Sequence, residues 1–154
     1  MRKARLYWMM IALIAVGCTV QPTLPGPEAT AAELRVGLSR FESAESLLFE
    51  SVDRVEFLLS DEPWAKAYLK ARVAVTGLRA GADVAESQVV ATLAQRAARD
   101  IDALVTILAE GEAMDALVRE GRFTEGQYGR LALLLSLASS YFKGNRGVIT
   151  LRSE

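Results

Sequence analysis

Histidine is missing altogether from this 154-residue chain, and cysteine occurs once, at Cys18. The lack of histidine removes the commonest general base and the commonest metal ligand. The Glu-x-x-His pairs that ferritin-like bundles use to hold two metals cannot be built in their usual form. Aromatic residues are sparse, at 7%. Three of the four prolines fall within six residues, at Pro22, Pro25 and Pro27. An excess of positive charge is also lacking, with 18 Lys and Arg against 19 Asp and Glu. Without a basic stripe to neutralise phosphates, nucleic-acid binding is excluded as an expectation. What is present is 51% hydrophobic residues with 24% charged, the composition of one folded helical domain.

The charge is unevenly spread. Arg2, Lys3 and Arg5 open the chain, and residues 1 to 17 hold no acid, so the remainder has 15 bases against 19 acids. After that basic start comes an apolar stretch of 11 residues, Leu6 to Val16, followed by Gly17. Extended to Val20 the run is still only 15 residues. A transmembrane helix needs about 20. The layout is that of a secretory signal peptide, with a retained membrane-anchor helix as the alternative.

Ala15-Val16-Gly17-Cys18 resembles the lipobox of bacterial lipoproteins, with Ala15 standing where leucine is usual. The resemblance implies cleavage between Gly17 and Cys18, diacylglycerol on the Cys18 thiol, and acylation of the new amino terminus. One acyl chain holds a protein only marginally at a membrane, whereas two or three make attachment effectively permanent. In the Gram-negative members of the class, aspartate after the cysteine favours the inner membrane. Thr19 therefore implies the outer membrane, with the body facing the periplasm.

The expected organisation follows. Residues 1–17 are the signal peptide, and 18–29 are the acylated cysteine and an extended tether of roughly 30 Å. Residues 30–144 are a helical domain, and 145–154 are a tail in which Val148 to Leu151 allow a short extended piece. Thr30-Ala-Ala-Glu33, Asp83-Val-Ala-Glu86 and Thr124-Glu-Gly-Gln127 each read as a capping box. Phe123 and Tyr128 flank the last as a hydrophobic staple. Leu34, Leu38, Phe41, Leu48, Val52, Val55 and Leu59 mark one face of a long helix ending near Ser60. Pro63 restarts the chain, and Trp64, Tyr68, Ala71, Val75 and Leu78 continue on a second helix to Gly81. Val90, Leu93, Ala97, Ile101, Leu104 and Leu108 mark a third, which Gly111 interrupts or kinks. The last helix runs to Lys143 and stops at Gly144. The expected fold is all-α: an antiparallel bundle of about four helices, two long and two short.

Chemistry is thin. Ser136, Ser139 and Ser140 lie on one helix, and a Ser–Lys pair with Lys66, Lys70 or Lys143 is conceivable, though no spacing singles one out. Asp100 and Asp102, and the Glu110, Glu112 and Asp115 group, read as solvated helix faces. Glu45 lies between Phe41 and Leu48. It is either a buried carboxylate paired with Arg72 or Arg99, or it turns outward while Ala44 takes the core position. The second reading avoids the cost of burying a charge. No catalytic, metal or cofactor site is expected.

Leu131 to Ala138 is apolar on nearly every side, so that helix is either central or covered by another molecule. Leu131, Leu134 and Leu135, with Trp64, Tyr68, Tyr128, Tyr141 and Phe142, are the candidate surface for a partner or an apolar ligand. The alternative is that they are core. The expected function is a non-enzymatic interaction or assembly factor anchored in the cell envelope, with an envelope protein as partner. The second expectation is a binder of a lipid or other apolar small molecule in a cavity between helices. Pilot proteins of secretion systems and exclusion lipoproteins share the general layout, and no motif assigns the chain to either.

Overall fold

The computed structural model describes residues 27–85 and 87–144. The expected signal peptide, the expected Gly17–Cys18 cleavage site, the expected tether up to residue 26, Glu86 and the tail after Gly144 lie outside the described residues. Within them the protein is all-helical, with six helices and no strand. They are α1 (Pro27–Ser51), α2 (Arg54–Leu59), α3 (Pro63–Ala82), α4 (Ser87–Glu110), α5 (Glu112–Arg119) and α6 (Glu125–Lys143). Helix α1 packs against α6, α6 against α4, and α4 against α3, while α2 rests on the start of α3. No described helix is long and apolar enough to cross a membrane.

Helix α1 starts at Pro27, three residues before Thr30. The expected box at Thr30 and Glu33 is therefore inside the helix and does not cap it. Proline is tolerated in a first turn because its missing N–H would be unpaired there anyway. Leu34, Phe41, Ala44 and Leu48 are buried, as their spacing predicts.

The same helix ends at Ser51, not near Ser60. Asp53 causes the break. Its carboxylate accepts hydrogen bonds from the backbone N–H groups of Val55 (2.9 Å) and Glu56 (3.1 Å), capping α2. A side chain that bonds its own backbone competes directly with helix continuation. The break also turns the face. Phe57 becomes the buried residue of α2, and Val55 and Leu59, expected inside, are 67% and 80% exposed.

Pro63 sits in the first turn of α3, and Trp64, Tyr68, Ala71, Val75 and Leu78 are all buried. Of the box expected at Asp83, Glu86 lies outside the described residues, and Asp83 is not the cap of the next helix. Asp83 closes the end of α3 in the right-handed helical region, and α4 begins at Ser87. Along α4 the expected Val90, Ala97, Ile101, Leu104 and Leu108 are buried. Gly111 does break the helix, in extended geometry (φ −85°, ψ 112°), and α5 follows it. A Cβ there would lie 2.7 Å from the Ile107 carbonyl oxygen. Helix α5 ends on Gly121 at φ 74°, with Gly121 N–H on the Val118 carbonyl and Arg122 N–H on that of Leu117. This paired closure needs the left-handed residue that glycine supplies. The box at Thr124 forms in both directions with Gln127, and α6 ends at Lys143 with Gly144 as cap, as expected.

Candidate functional site

The end of the body where α2 sits is built around four aromatic rings. Phe57 stacks on Trp64 with centroids 4.6 Å apart, and lies 5.1 Å from Tyr68. Phe49 meets Tyr68 and Phe57 edge-on at 5.8 and 6.2 Å. The Arg54 guanidinium lies 5.0 Å above the Phe49 ring. A six-residue helix has too few internal hydrogen bonds to stand alone, so this packing is what holds α2 in place.

The opposite edge of α2 is open. Val55, Leu58 and Leu59, at helical spacing i, i+3 and i+4, are 67%, 39% and 80% exposed. A groove of about 320 Å³ runs between α2 and α5, lined among others by Phe57, Trp64 and Leu117 with Glu56, Glu62 and Glu120. Arg122 reaches Glu56 across it at 3.7 Å. The Trp64 indole lines the groove while its Nε1–H is buried without a hydrogen-bond acceptor among the described residues.

Charge separates the two ends. Segments 45–67 and 104–130, at the α2 end, carry 11 acids against 5 bases. Segments 27–44, 68–85, 87–103 and 131–144, at the other end, carry 6 acids against 8 bases.

Of the residues singled out from the sequence as a surface, Trp64 borders this groove and the others lie elsewhere. Trp64, Tyr68, Leu131, Leu134, Leu135 and Phe142 are buried, and Tyr128 and Tyr141 are half-buried. The Leu131–Ala138 run is apolar all round because α6 packs on both α1 and α4. Only its Leu133 is well exposed, at 57%. The structure does bring Trp64, Tyr68, Leu131 and Leu135 together around one cavity, also lined by Leu104 and Leu108. Its volume is about 10 Å³, enough for a single water. Tyr128 does not line it.

Two polar groups tie helices together. Ala44 takes the core position, and Glu45 beside it pairs with Arg72. Tyr68 donates its hydroxyl to the same carboxylate oxygen at 2.5 Å, and Arg72 donates to the Tyr68 oxygen at 3.0 Å. Burial, and then the hydrogen bond to the Glu45 carboxylate, hold the Tyr68 hydroxyl above the ordinary tyrosine range. The hydrogen bond to Tyr68 raises Arg72 further, against its own partial burial. Burial, and then the charge of Asp115, raise Tyr128.

The second tie joins α6 to α4. Ser139, 1% exposed, donates to Asp102 Oδ1 at 2.6 Å, with the Ala98 carbonyl 3.2 Å away. Lys143 Nζ lies 2.6 Å from Asp102 Oδ2. Ser139 and Lys143 thus converge on one carboxylate from opposite sides. The serine hydroxyl thus ties α6 to α4 through the Asp102 carboxylate. Among the described residues no group of three or more His, Cys, Asp or Glu side chains could hold a metal.

The open edge of α2 escapes the sequence reading because its periodicity continues that of α1. A signal was available: Asp53-Arg-Val-Glu56 has the same capping-box form as the boxes read elsewhere. No protein-family model matches this chain, and neither the curated proteins nor the solved structures contain a match to it.

Proposed function

We propose that this chain is a lipid-anchored helical protein of the bacterial cell envelope, attached through acyl chains on Cys18. On this reading it sits at the outer membrane facing the periplasm. It acts there as a non-enzymatic interaction or assembly factor for another envelope protein. The observation that carries the interaction reading is the open apolar edge of α2. Val55, Leu58 and Leu59 face solvent although a core of more than two dozen buried apolar side chains lies beneath them. Exposed apolar clusters of this kind mark contact sites more often than accidents of folding. Support for a non-enzymatic role comes from Ser139 and Lys143, both committed to Asp102.

We read the four long helices as an antiparallel bundle. Gly37 of α1 lies against Tyr141 and Phe142 at the end of α6, and Glu42 pairs with Arg79 near the end of α3. Ser139 meets Ala98 and Asp102 of α4. These pairings run in opposite chain directions. Helix α1, 25 residues long, rises about 37 Å from Pro27. With the anchor on Cys18, the α2 end is the end of the body farther along the chain from the membrane.

A lipid-binding role is the weaker reading, since the interior cavity of about 10 Å³ has no room for an acyl chain. The test is to extract the full-length protein from membranes in mild detergent and measure intact and native mass, beside a Cys18→Ser variant. Loss of residues 1–17 with added acyl mass, absent in the variant, together with a stoichiometric protein partner, is the expected result. An unprocessed chain would overturn the anchor, and a processed but solitary monomer would overturn the interaction role.

A further inference from the structure

We infer that the α2 end receives a basic, amphipathic helical segment of a protein partner, a conclusion that rests on the interaction reading above. Two independent features of this end of the body converge on that occupant. The first is apolar. Val55, Leu58 and Leu59 form an exposed stripe about one helix-turn long on α2, which can take the apolar side of a helix, and α2 also borders a groove floored by Phe57 and Trp64. The second is electrostatic. Glu56, Glu62 and Glu120 line the groove, and Glu50, Asp53 and Asp61 are exposed close by in sequence. Among the described residues two ion pairs offset them here, Arg122 with Glu56 and Lys66 with Asp61. A segment that carries lysine or arginine around an apolar stripe matches this rim, and an acidic one is repelled.

Other occupants fit less well. An anionic membrane surface carries the same sign of charge as the rim. The chain's own apolar Val148 to Leu151 begins from Gly144, at the far end of α6. Seven residues span at most about 25 Å. That falls short of the roughly 28 Å that the 19 residues of α6 cover. A second copy joined through this same face would set acids against acids.

The experiment is site-specific photocrosslinking of the full-length chain in cells. A benzoyl-phenylalanine replaces Leu59, and in separate strains Val73 or Leu133, both exposed on other faces. Each side chain is open to solvent, so none of these replacements is expected to disturb folding. The crosslinked peptide is then identified by mass spectrometry. The expected result is an adduct through Leu59 alone, on a peptide of net positive charge with apolar residues at helical spacing. Glu62→Lys combined with Glu120→Lys should cut its yield by roughly tenfold. Thermal melting of that double variant separates lost contact from lost fold. An adduct through Val73 or Leu133 but not Leu59 would overturn this site and leave the interaction role standing. An adduct through Leu59 to an acidic peptide, to lipid or to a second copy would overturn the partner's chemistry. No adduct from any position would sink both conclusions.

Discussion

Where α1 begins and α6 ends, glycine lets side chains of the neighbouring helix press close, and at the other end α2 leaves apolar side chains in solvent. At the first end a Cβ on Gly37 would fall 2.6 Å from a Phe142 ring carbon and 3.1 Å from Tyr141 Cβ. One on Gly81 would fall 2.5 Å from Leu93 Cδ1. Glycine lets those backbones approach, and Asp102 ties α4 to α6 through Ser139 and Lys143. At the other end a six-residue helix leaves three apolar side chains in solvent and borders an acid-lined groove. Maximal stability alone would have buried those side chains. The difference matches the interaction reading proposed above.

The comparison can be broken at its tight end first. Phe142→Ala removes a fully buried ring against Gly37 and should cost about 3–5 kcal/mol in a urea titration. The same truncation at exposed Leu59 should be nearly silent, so comparable losses would erase the contrast. Gly37→Ala comes next. The added methyl must displace the Phe142 ring, and overpacking of this kind costs about 1–3 kcal/mol. A stabilised variant would mean that the α1–α6 approach is not close.

The loose end is probed by Asp53→Ala. Loss of a two-bond cap should cost about 1 kcal/mol. The damage should stay local, seen as faster amide exchange in α2 while α4 and α6 keep their protection. Loss of protection throughout would show α2 to be integral to the core.

The smallest effect is in the pH dependence. The Tyr68 hydroxyl titrates higher folded than unfolded, so the folded state holds its proton more tightly. That contribution is complete below about pH 10, the unfolded value, and is lost as pH rises through the folded one. Stability of the wild-type chain should therefore fall more steeply above pH 10 than that of Tyr68→Phe. Parallel alkaline limbs would show that the Glu45–Tyr68–Arg72 group does not perturb the titration.

The helical content of this protein was legible from residue order because it depends on local chemistry. Pro63 at a helix start, the Thr124–Gln127 box, the break at Gly111 and the stop at Gly144 are short-range effects, and each appears where the pattern puts it. So does the buried face of α3, whose spacing is regular.

Tertiary structure decided among signals that look alike in sequence. Asp53-Arg-Val-Glu56 and Asp83-Val-Ala-Glu86 have the same form, yet Asp53 caps a helix and Asp83 ends one. A cap is worth only about 1 kcal/mol. Burying Phe57 among Phe49, Trp64 and Tyr68 outweighs the helical continuity that Val55 and Leu59 suggested. The same holds for Leu131 to Ala138, whose all-round apolar character fits a docking surface and a central helix equally well until α1 and α4 are seen to flank it. It holds for Glu45 as well, which turns to the core's edge because Tyr68 and Arg72 meet it from a helix 23 and 27 residues away. Residue order alone determined which stretches are helical and where caps and breaks are available. Only the packed chain decided which caps are used, which apolar faces are closed and which one is left open, because those choices are settled by long-range burial several times stronger than any local signal.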